Sequence, residues 1–172
     1  MATFKINGKN FATQDGTGAA TIHSDVVFPA DHIIQVKNLV YDTVESYDIS
    51  SGTFGAYSNV QLAITPTHDT SKIFGIINLD GVTFTSDNNY GHFYLYRDST
   101  HIQYFGYPRQ WSSTDNSSGV TMTCHFYDSP GVDTEITYKF RFKSLSGTCT
   151  FNINRDGATY SDSNITLFEV SQ

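Results

Sequence analysis

The fold is decided by the stretch Glu135-Ile136-Thr137-Tyr138-Lys139-Phe140-Arg141-Phe142-Lys143, in which apolar and polar residues alternate after the first position. A β-strand points successive side chains to opposite faces, so this alternation separates the two classes of residue. The apolar set is Ile136, Tyr138, Phe140 and Phe142, and the polar set is Thr137, Lys139, Arg141 and Lys143. The stretch therefore predicts a half-buried antiparallel strand with a core side and a solvent side.

The same alternation recurs along the chain, and no sustained helical period competes with it. At residues 120–126 it predicts that Val120, Met122, Cys124 and Phe126 point inward. Clusters of Gly, Asn, Asp and Ser separate the apolar runs. We therefore predict an all-β fold, an antiparallel β-sandwich or jelly roll of about eight strands with an extended N-terminal arm. Further strands are predicted at 33–41, 59–65, 72–84, 91–97, 101–106, 148–154 and 164–170.

Residues 1–32 differ in composition from the rest of the chain. They are rich in Gly, Thr, Asn and Asp, with short apolar islands at Phe4-Lys5-Ile6 and Val26-Val27-Phe28. These residues have too little apolar surface to form a hydrophobic core of their own. We predict an N-terminal arm or attachment segment at 1–32, ordered against a neighbouring molecule, and a β-sandwich domain at 33–172. A frayed tail or an extra strand on the same sandwich fits these residues equally well.

The charge of the chain argues against some partners. Its 172 residues carry a formal net charge of -7, from 17 acidic and 10 basic residues. A long-range field of this sign opposes binding to nucleic-acid phosphates or to anionic lipid, while a local basic stripe stays compatible with it. The sequence contains no apolar run of about 18 residues, so it predicts no transmembrane helix. The N-terminus lacks the apolar run and the small-residue cleavage site of a signal peptide, so we expect that the chain starts in a cytoplasm or leaves by a route that needs no cleaved signal.

No arrangement of residues indicates catalysis. The sequence contains neither a Gly-rich phosphate loop nor a G-x-S-x-G elbow, and its six His lack the spacing of metal ligands. We therefore expect no enzymatic activity, no catalytic or cofactor-binding residues, no metal site and no cofactor. Cys124 and Cys149 both stand in apolar alternation, which favours buried reduced thiols over a disulfide or a metal pair.

A binding hypothesis comes from the aromatic run YFGYPRQW at residues 104–111. Aromatic faces beside a guanidinium suit sugar rings or a protein partner, because they bury area at low rotamer cost. We predict a partner or glycan contact through Tyr104, Tyr107, Arg109 and Trp111. The alternative is that these rings pack in the core or against a symmetry-related copy.

Several short segments occur in a shared order over residues 27–172, which is most of the chain. They are VFPADHIIQV (27–36), LAITP (62–66), TSKI (70–73), YRDST with Ile102 (96–102), DSP (128–130), TYK (137–139), INR (153–155) and SNITLFEV (163–170). In this order they resemble a module of virion structural proteins of tailed phages, especially marine phages that infect cyanobacteria. Asp31 departs from the family, in which we expect Gly, and this puts the local turn in question.

The resemblance implies a non-enzymatic β-sandwich that forms homotrimers, as a fibre tip or as a knob on the particle surface. It implies a location in the virion after synthesis in the host bacterial cytoplasm, with other capsid or tail proteins as partners. The short attachment segment favours a capsid decoration or cement protein, or a short fibre. One alternative is a tail-fibre tip, a receptor-binding protein that contacts host surface glycans. Another is a monomeric carbohydrate-binding module, and an enzyme such as a depolymerase is the least supported.

Overall fold

A computed structural model describes residues 2–14, 16–18, 21–22, 29–84, 91–106, 120–145, 147–154 and 162–172. Every regular element in these residues is a β-strand, and every strand pairing is antiparallel. The strands are β1 (Ala2–Ile6), β2 (Lys9–Gln14), β3 (Thr21–Ile22), β4 (Ile33–Tyr41), β5 (Glu45–Ile49), β6 (Phe54–Tyr57), β7 (Leu62–Ile64), β8 (Lys72–Phe84), β9 (Gly91–Arg97), β10 (Thr100–Phe105), β11 (Val120–Asp128), β12 (Ile136–Ser144), β13 (Cys149–Ile153) and β14 (Ser163–Val170).

The alternating stretch at residues 136–144 forms β12, at the centre of a five-stranded sheet. β9 and then β10 lie on one side of β12, and β6 and β7 pair with its other side. The burial of β12 alternates without interruption, as the period of two predicts. Ile136, Tyr138, Phe140 and Phe142 are all at most 4% exposed and form the inner face.

The second sheet has six strands and is organised around the long strand β8. On one side β8 pairs with β11 from Ile73 to Val82. On the other side its first half pairs with β14, and β4 continues the sheet beyond β14. Its last residues pair with β13, which carries β5. Gly75 in β8 leaves space for the Phe126 ring of β11, because a Cβ at this position would overlap that ring.

The core lies between these two sheets, which confirms the predicted all-β sandwich. Aromatic rings from both sheets meet there. Phe142 of β12 stacks on Phe151 of β13 with 4.6 Å between ring centroids, and Tyr138 of β12 lies 4.9 Å from Phe126 of β11. Fully buried rings of this size dominate the hydrophobic free energy of a small domain.

The strands β1, β2 and β3 form a separate three-stranded sheet. In the described residues they pair with one another and with no strand of the sandwich. All five residues of β1 are exposed, including Phe4 and Ile6. The segment 1–32 therefore contains regular strands of its own, while its division from the sandwich as an attachment segment stays a prediction.

Position 31 has the backbone geometry that the expected glycine would suit. Asp31 has a φ of 67°, in the left-handed region that glycine adopts at least cost and that Asp tolerates better than most residues. Its N–H donates to the carbonyl of Ser171 at 2.8 Å, so the turn ties the start of β4 to the C-terminus.

The sequence predicts nine of the strands close to their observed positions and misses β5 and β6 in the sandwich. These two strands are short, and Gly55 and Asp48 interrupt their apolar pattern. One inward prediction is also wrong, because Val120 is 43% exposed. The pairing of β11 with β8 shifts between Val120 and Met122, so the regular alternation of β11 does not extend to Val120 at the start of the strand.

Candidate functional site

The outward side of the five-stranded sheet carries aromatic rings and cations, and we call it the aromatic–cationic face. It consists of side chains from β6, β9, β10 and β12 that alternate with the core residues of the same strands. The face is formed by Phe54, Tyr57, His92, Tyr94, Tyr96, His101, Tyr104, Lys139, Arg141 and Lys143.

The antiparallel register places these side chains in rows across the sheet. Arg141 of β12 lies opposite Tyr57 on one side and opposite Tyr94 on the other, and Tyr94 lies opposite Tyr104. Cross-strand neighbours have Cβ atoms about 5 Å apart, so these four side chains form a continuous row across four strands. Residues far apart in the sequence thus form one surface.

The rings hold the cations of this face in place. The guanidinium carbon of Arg141 lies 4.0 Å from the centroid of Phe54, 5.0 Å from Tyr57 and 4.9 Å from Tyr96. The Nζ of Lys139 lies 4.3 Å from the Tyr57 centroid, and the Nζ of Lys143 lies 5.2 Å from that of Phe54. Each contact is a cation–π interaction that restricts the rotamers of a long side chain.

A polar pair borders the face at β10. The hydroxyl of Tyr104 and Nε2 of His92 lie 2.8 Å apart, within hydrogen-bonding distance. Burial, together with the positive charge of Lys143, lowers the pKa of His92 below its ordinary value. The lowered pKa favours the neutral ring, whose Nε2 accepts a hydrogen bond from the Tyr104 hydroxyl in one tautomer and donates to it in the other.

The structure describes one of the four predicted contact residues. Tyr104 is 44% exposed and lies on the aromatic–cationic face. Tyr107, Arg109 and Trp111 lie outside the described residues, so their role as contacts stays a prediction. Lys139, Arg141 and Lys143 were not among the contact residues predicted from the sequence. Their spacing of two residues along one predicted strand places them on the same side of the sheet and could have indicated this surface.

The outward side of the six-stranded sheet has a different chemistry, and we call it the neutral face. It has three rows across β4, β14, β8 and β11, and no Lys, Arg, Asp or Glu stands in them. Several polar side chains of these rows bond to one another, such as Asn38 to Thr166 and Thr123 to Asn78. The rows are Val36–Phe168–Phe74–Tyr127, Asn38–Thr166–Ile76–His125 and Val40–Asn164–Asn78–Thr123.

Glu45 and Glu169 are buried carboxylates that hold loops to the sandwich. Glu45 accepts hydrogen bonds from the hydroxyls of Tyr47 and Ser58 at 2.6 and 2.7 Å and from the N–H of Asn59 at 2.7 Å. Glu169 accepts from the N–H and the hydroxyl of Thr67. Burial and the nearby Glu45 raise the pKa of Tyr47, so its phenol stays protonated and donates.

Asp128 links the two sheets. Its Oδ2 accepts from Nη1 of Arg97 at 2.6 Å and from the hydroxyl of Tyr138 at 2.7 Å. Arg97 and Tyr138 belong to the five-stranded sheet, whereas Asp128 ends β11 of the six-stranded sheet. Most of this ion pair is removed from solvent, since the side chains are 18% and 11% exposed.

The described residues also bear on metal and thiol chemistry. No group of three or more His, Cys, Asp or Glu in the described part of the chain is arranged to hold a metal ion. Cys124 and Cys149 are free and buried, as predicted, and burial raises the pKa of Cys124 to about 11. No helix among the described residues could cross a membrane.

Comparisons with known proteins give structural likeness only. No protein-family description matches the chain, and no curated sequence matches it. Among solved structures, T=1 particles derived from infectious bursal virus match 92% of this chain at 9% identity, with a TM-score of 0.41. The Gx strain of infectious bursal disease virus matches 95% at 10% identity, with a TM-score of 0.38. A VP2 subviral particle of that virus matches 91% at 12% identity, with a TM-score of 0.33.

The chain spans less than half the length of these structures, with 41%, 43% and 44% of them covered. Their names describe particles of one virus. At TM-scores below 0.5 this likeness carries no argument about function. The resemblance to tailed-phage proteins therefore stays a prediction.

Proposed function

We propose that this chain is a non-enzymatic structural protein of a tailed-phage virion. In this proposal it forms a homotrimeric β-sandwich on the particle surface, as a capsid decoration or cement protein or as a short fibre. The sheet of β1–β3 attaches it to other virion proteins. The proposal rests on the order of short sequence segments over residues 27–172 and on the surface of the separate N-terminal sheet.

The N-terminal sheet is the observation that carries the proposal. Phe4, Ile6 and Phe11 are 59%, 51% and 37% exposed, and the rings of Phe4 and Phe11 meet edge to face with centroids 5.7 Å apart. A shallow depression of about 280 Å³ lies between residues 2–4 and 12–14 of the same sheet. Exposed aromatic and aliphatic groups on a small sheet favour contact with a partner that removes them from water.

The neutral face supports self-association. Val36 and Val40 are 54% and 60% exposed on β4, at the edge of the six-stranded sheet, and Tyr127 is 56% exposed at the far end of the same face. The three rows lie between Lys72 and Asp80 on β8 and contain no Lys, Arg, Asp or Glu, so they lose little hydration free energy when an identical copy covers them. We therefore assign the contact between copies to this face.

Two measurements test the proposal. Light scattering after size exclusion should give the full-length protein a native mass near three times 19.2 kDa. A monomeric mass at micromolar concentration would contradict the trimer. Mass spectrometry of capsids separated from tails then tests the placement. Recovery with capsids is expected for a decoration protein, whereas recovery with tails alone would contradict that placement.

Contact with host surface glycans is a second candidate function, in a tail-fibre tip or in a monomeric carbohydrate-binding module. The observation that favours it is the aromatic–cationic face, which presents Tyr104 in one row with Tyr94 and Arg141. Retention of the protein on host surface polysaccharide tests this candidate. Loss of retention in Tyr104→Ala, with an unchanged melting temperature, is the expected result.

A further inference from the structure

We propose that the aromatic–cationic face binds an anionic polysaccharide, with carboxylate or sulfate groups of the sugar chain in contact with Lys139, Arg141 and Lys143. This inference rests on the second candidate function, contact with glycans. The glycan is assigned a negative charge here. Its main contact surface is the face of the sheet and not the aromatic run at 104–111.

The first support is the concentration of positive charge. The chain has 10 basic residues and a net charge of -7, yet three of the basic residues follow one another on the outward side of β12. Side chains two residues apart on a strand are about 7 Å apart, so they repel one another unless an anion lies between them. Among the described residues, none of the three forms an ion pair with a carboxylate. An anionic ligand would relieve this repulsion.

The second support is the ordered position of the three charges. Phe54 and Tyr57 lie against Lys139, Arg141 and Lys143 at 4.0 to 5.2 Å from ring centroid to cation. Side chains that are already restricted lose little entropy when they bind a ligand. Only one donor of the Arg141 guanidinium, on Nη2, has a hydrogen-bond acceptor in the described residues, namely the Tyr96 hydroxyl at 3.2 Å. Nε of Arg141 is buried without an acceptor in the described residues, so contact with an anion falls to the two terminal nitrogens of the group.

The third support is the combination of these charges with aromatic rings, of which Tyr104 is exposed and Tyr94 is half-buried. Tyr94 and Tyr104 lie in the same row as Arg141, and their ring centroids are 5.5 Å apart. Aromatic rings offer an apolar surface to the C–H faces of sugars, while cations bind the acidic groups of the same chain. Four strands and five residues of β12 give the face a size of roughly 14 Å by 14 Å, enough for an extended ligand.

The chemistry of the face favours a polysaccharide over other anionic polymers. The backbone N–H and C=O groups of its central strands bond within the sheet, so an acidic peptide cannot add to this face as a strand. A nucleic-acid duplex carries one negative charge per about 1.7 Å of its axis, which is far more than three cations about 7 Å apart can neutralise. Asp98 stands at one corner, where its Oδ1 accepts from the N–H of Thr137, and it limits the cationic area on that side.

A matched pair of polymers tests the proposal. Polygalacturonate and its fully methyl-esterified form share a backbone and differ in charge, and dextran sulfate with dextran provides the same comparison for sulfate. We expect calorimetry on the full-length protein to show binding to at least one anionic member and at least about tenfold weaker binding to its neutral counterpart. Binding should weaken as the salt concentration rises, because exposed charges are screened.

The double variant Lys139→Gln/Lys143→Gln locates the site. It should bind the anionic polymer about tenfold more weakly, since each lost surface contact contributes modestly. The control Lys37→Gln/Lys72→Gln removes the same charge from the six-stranded sheet and should bind within about twofold of the original protein. Equal melting temperatures exclude loss of folding as the cause. Equal losses in both variants would overturn the assignment to this face.

Different outcomes of these experiments distinguish the anionic-polysaccharide inference from the glycan candidate and from the virion proposal. If the neutral polymers bind as tightly as the anionic ones, the requirement for a negative charge is overturned, and the proposal that the protein contacts glycans is kept. Tighter binding of polyglutamate or of a single-stranded oligonucleotide would overturn the polysaccharide class. Binding of none of these polymers would overturn both the inference and the glycan candidate. The trimeric mass and the recovery with particles test the virion proposal independently.

Discussion

The two outer faces of the sandwich are built by the same alternation and have opposite surface chemistry. The aromatic–cationic face places Lys139, Arg141 and Lys143 among aromatic rings, whereas the three rows of the neutral face contain no Lys, Arg, Asp or Glu. Both faces stand on one buried core, which contains Phe142 from one sheet and Phe126 from the other. Packing of the core restricts only the inward residues of each strand. The outward residues can therefore differ between the sheets, and each face can make a different kind of contact.

This difference shows why the net charge of the chain is a poor guide to its local surfaces. The overall charge of -7 argues against anionic ligands at long range, yet one sheet face concentrates three cations. Over distances shorter than the Debye length of about 8 Å in physiological salt, the local cations dominate the field.

The largest expected effect comes from Gly75→Ala, which would disturb the core packing between the two sheets that carry these faces. A Cβ at position 75 would overlap the Phe126 ring, so either β8 or the ring must shift. We expect the free energy of unfolding to fall by about 3 kcal/mol, measured by urea denaturation. Gly106→Ala is the control, because a Cβ there meets nothing within 4 Å. Equal stability of the two variants would contradict the close packing described for β8 and β11.

A smaller loss is expected from Asp128→Ala, which breaks the link between the sheets that carry the two faces. Arg97 and the Tyr138 hydroxyl would lose their shared acceptor in a mostly buried position. We expect a loss of about 2 kcal/mol in the free energy of unfolding. The exposed Asp133→Ala provides the control, with a change within about 0.5 kcal/mol. A loss no larger than in the control would show that this ion pair does not stabilise the sandwich.

Val36→Lys sharpens the contrast by placing a charge on the neutral face. If this face joins the copies, a buried unpaired ammonium should weaken the trimer by about tenfold or more in dissociation constant. Light scattering over a concentration series measures this shift, and circular dichroism checks the fold. Val44→Lys, which changes a valine that is 49% exposed outside the face, should leave the mass unchanged. An unchanged mass in both variants would place the contact elsewhere.

The smallest effect concerns His92 on the aromatic–cationic face. Burial and Lys143 lower its pKa in the folded protein below the ordinary 6.5. The folded state thus favours the neutral ring, and its contribution to stability is complete above pH 6.5 and is lost as the pH falls through the folded pKa. NMR titration of Lys143→Gln should show a rise in the pKa of His92, while Lys37→Gln should leave it unchanged. A pKa that stays constant in both variants would contradict the influence of Lys143.

The candidate site was only partly predictable from the sequence. Alternation alone placed Lys139, Arg141 and Lys143 on one side of a strand. It could not reveal that Phe54 and Tyr57 cover these cations, because β6 is too short to show a period. The aromatic run at 104–111 pointed to Tyr104, and the structure adds the neighbours His92 and Tyr94.

The sequence by itself determined the fold class and most of the strands, because a period of two in apolar residues is a local property that each strand carries alone. It also determined that both thiols are buried, since each stands in such a pattern. Only the tertiary structure decided which strands are neighbours and in what register. Pairing of β12 with β6 and β9 joins residues more than 40 positions apart, and the alignment of Arg141 with Tyr57 and Tyr94 follows from that pairing. A surface made of cross-strand rows therefore has no signature in any single stretch of the chain.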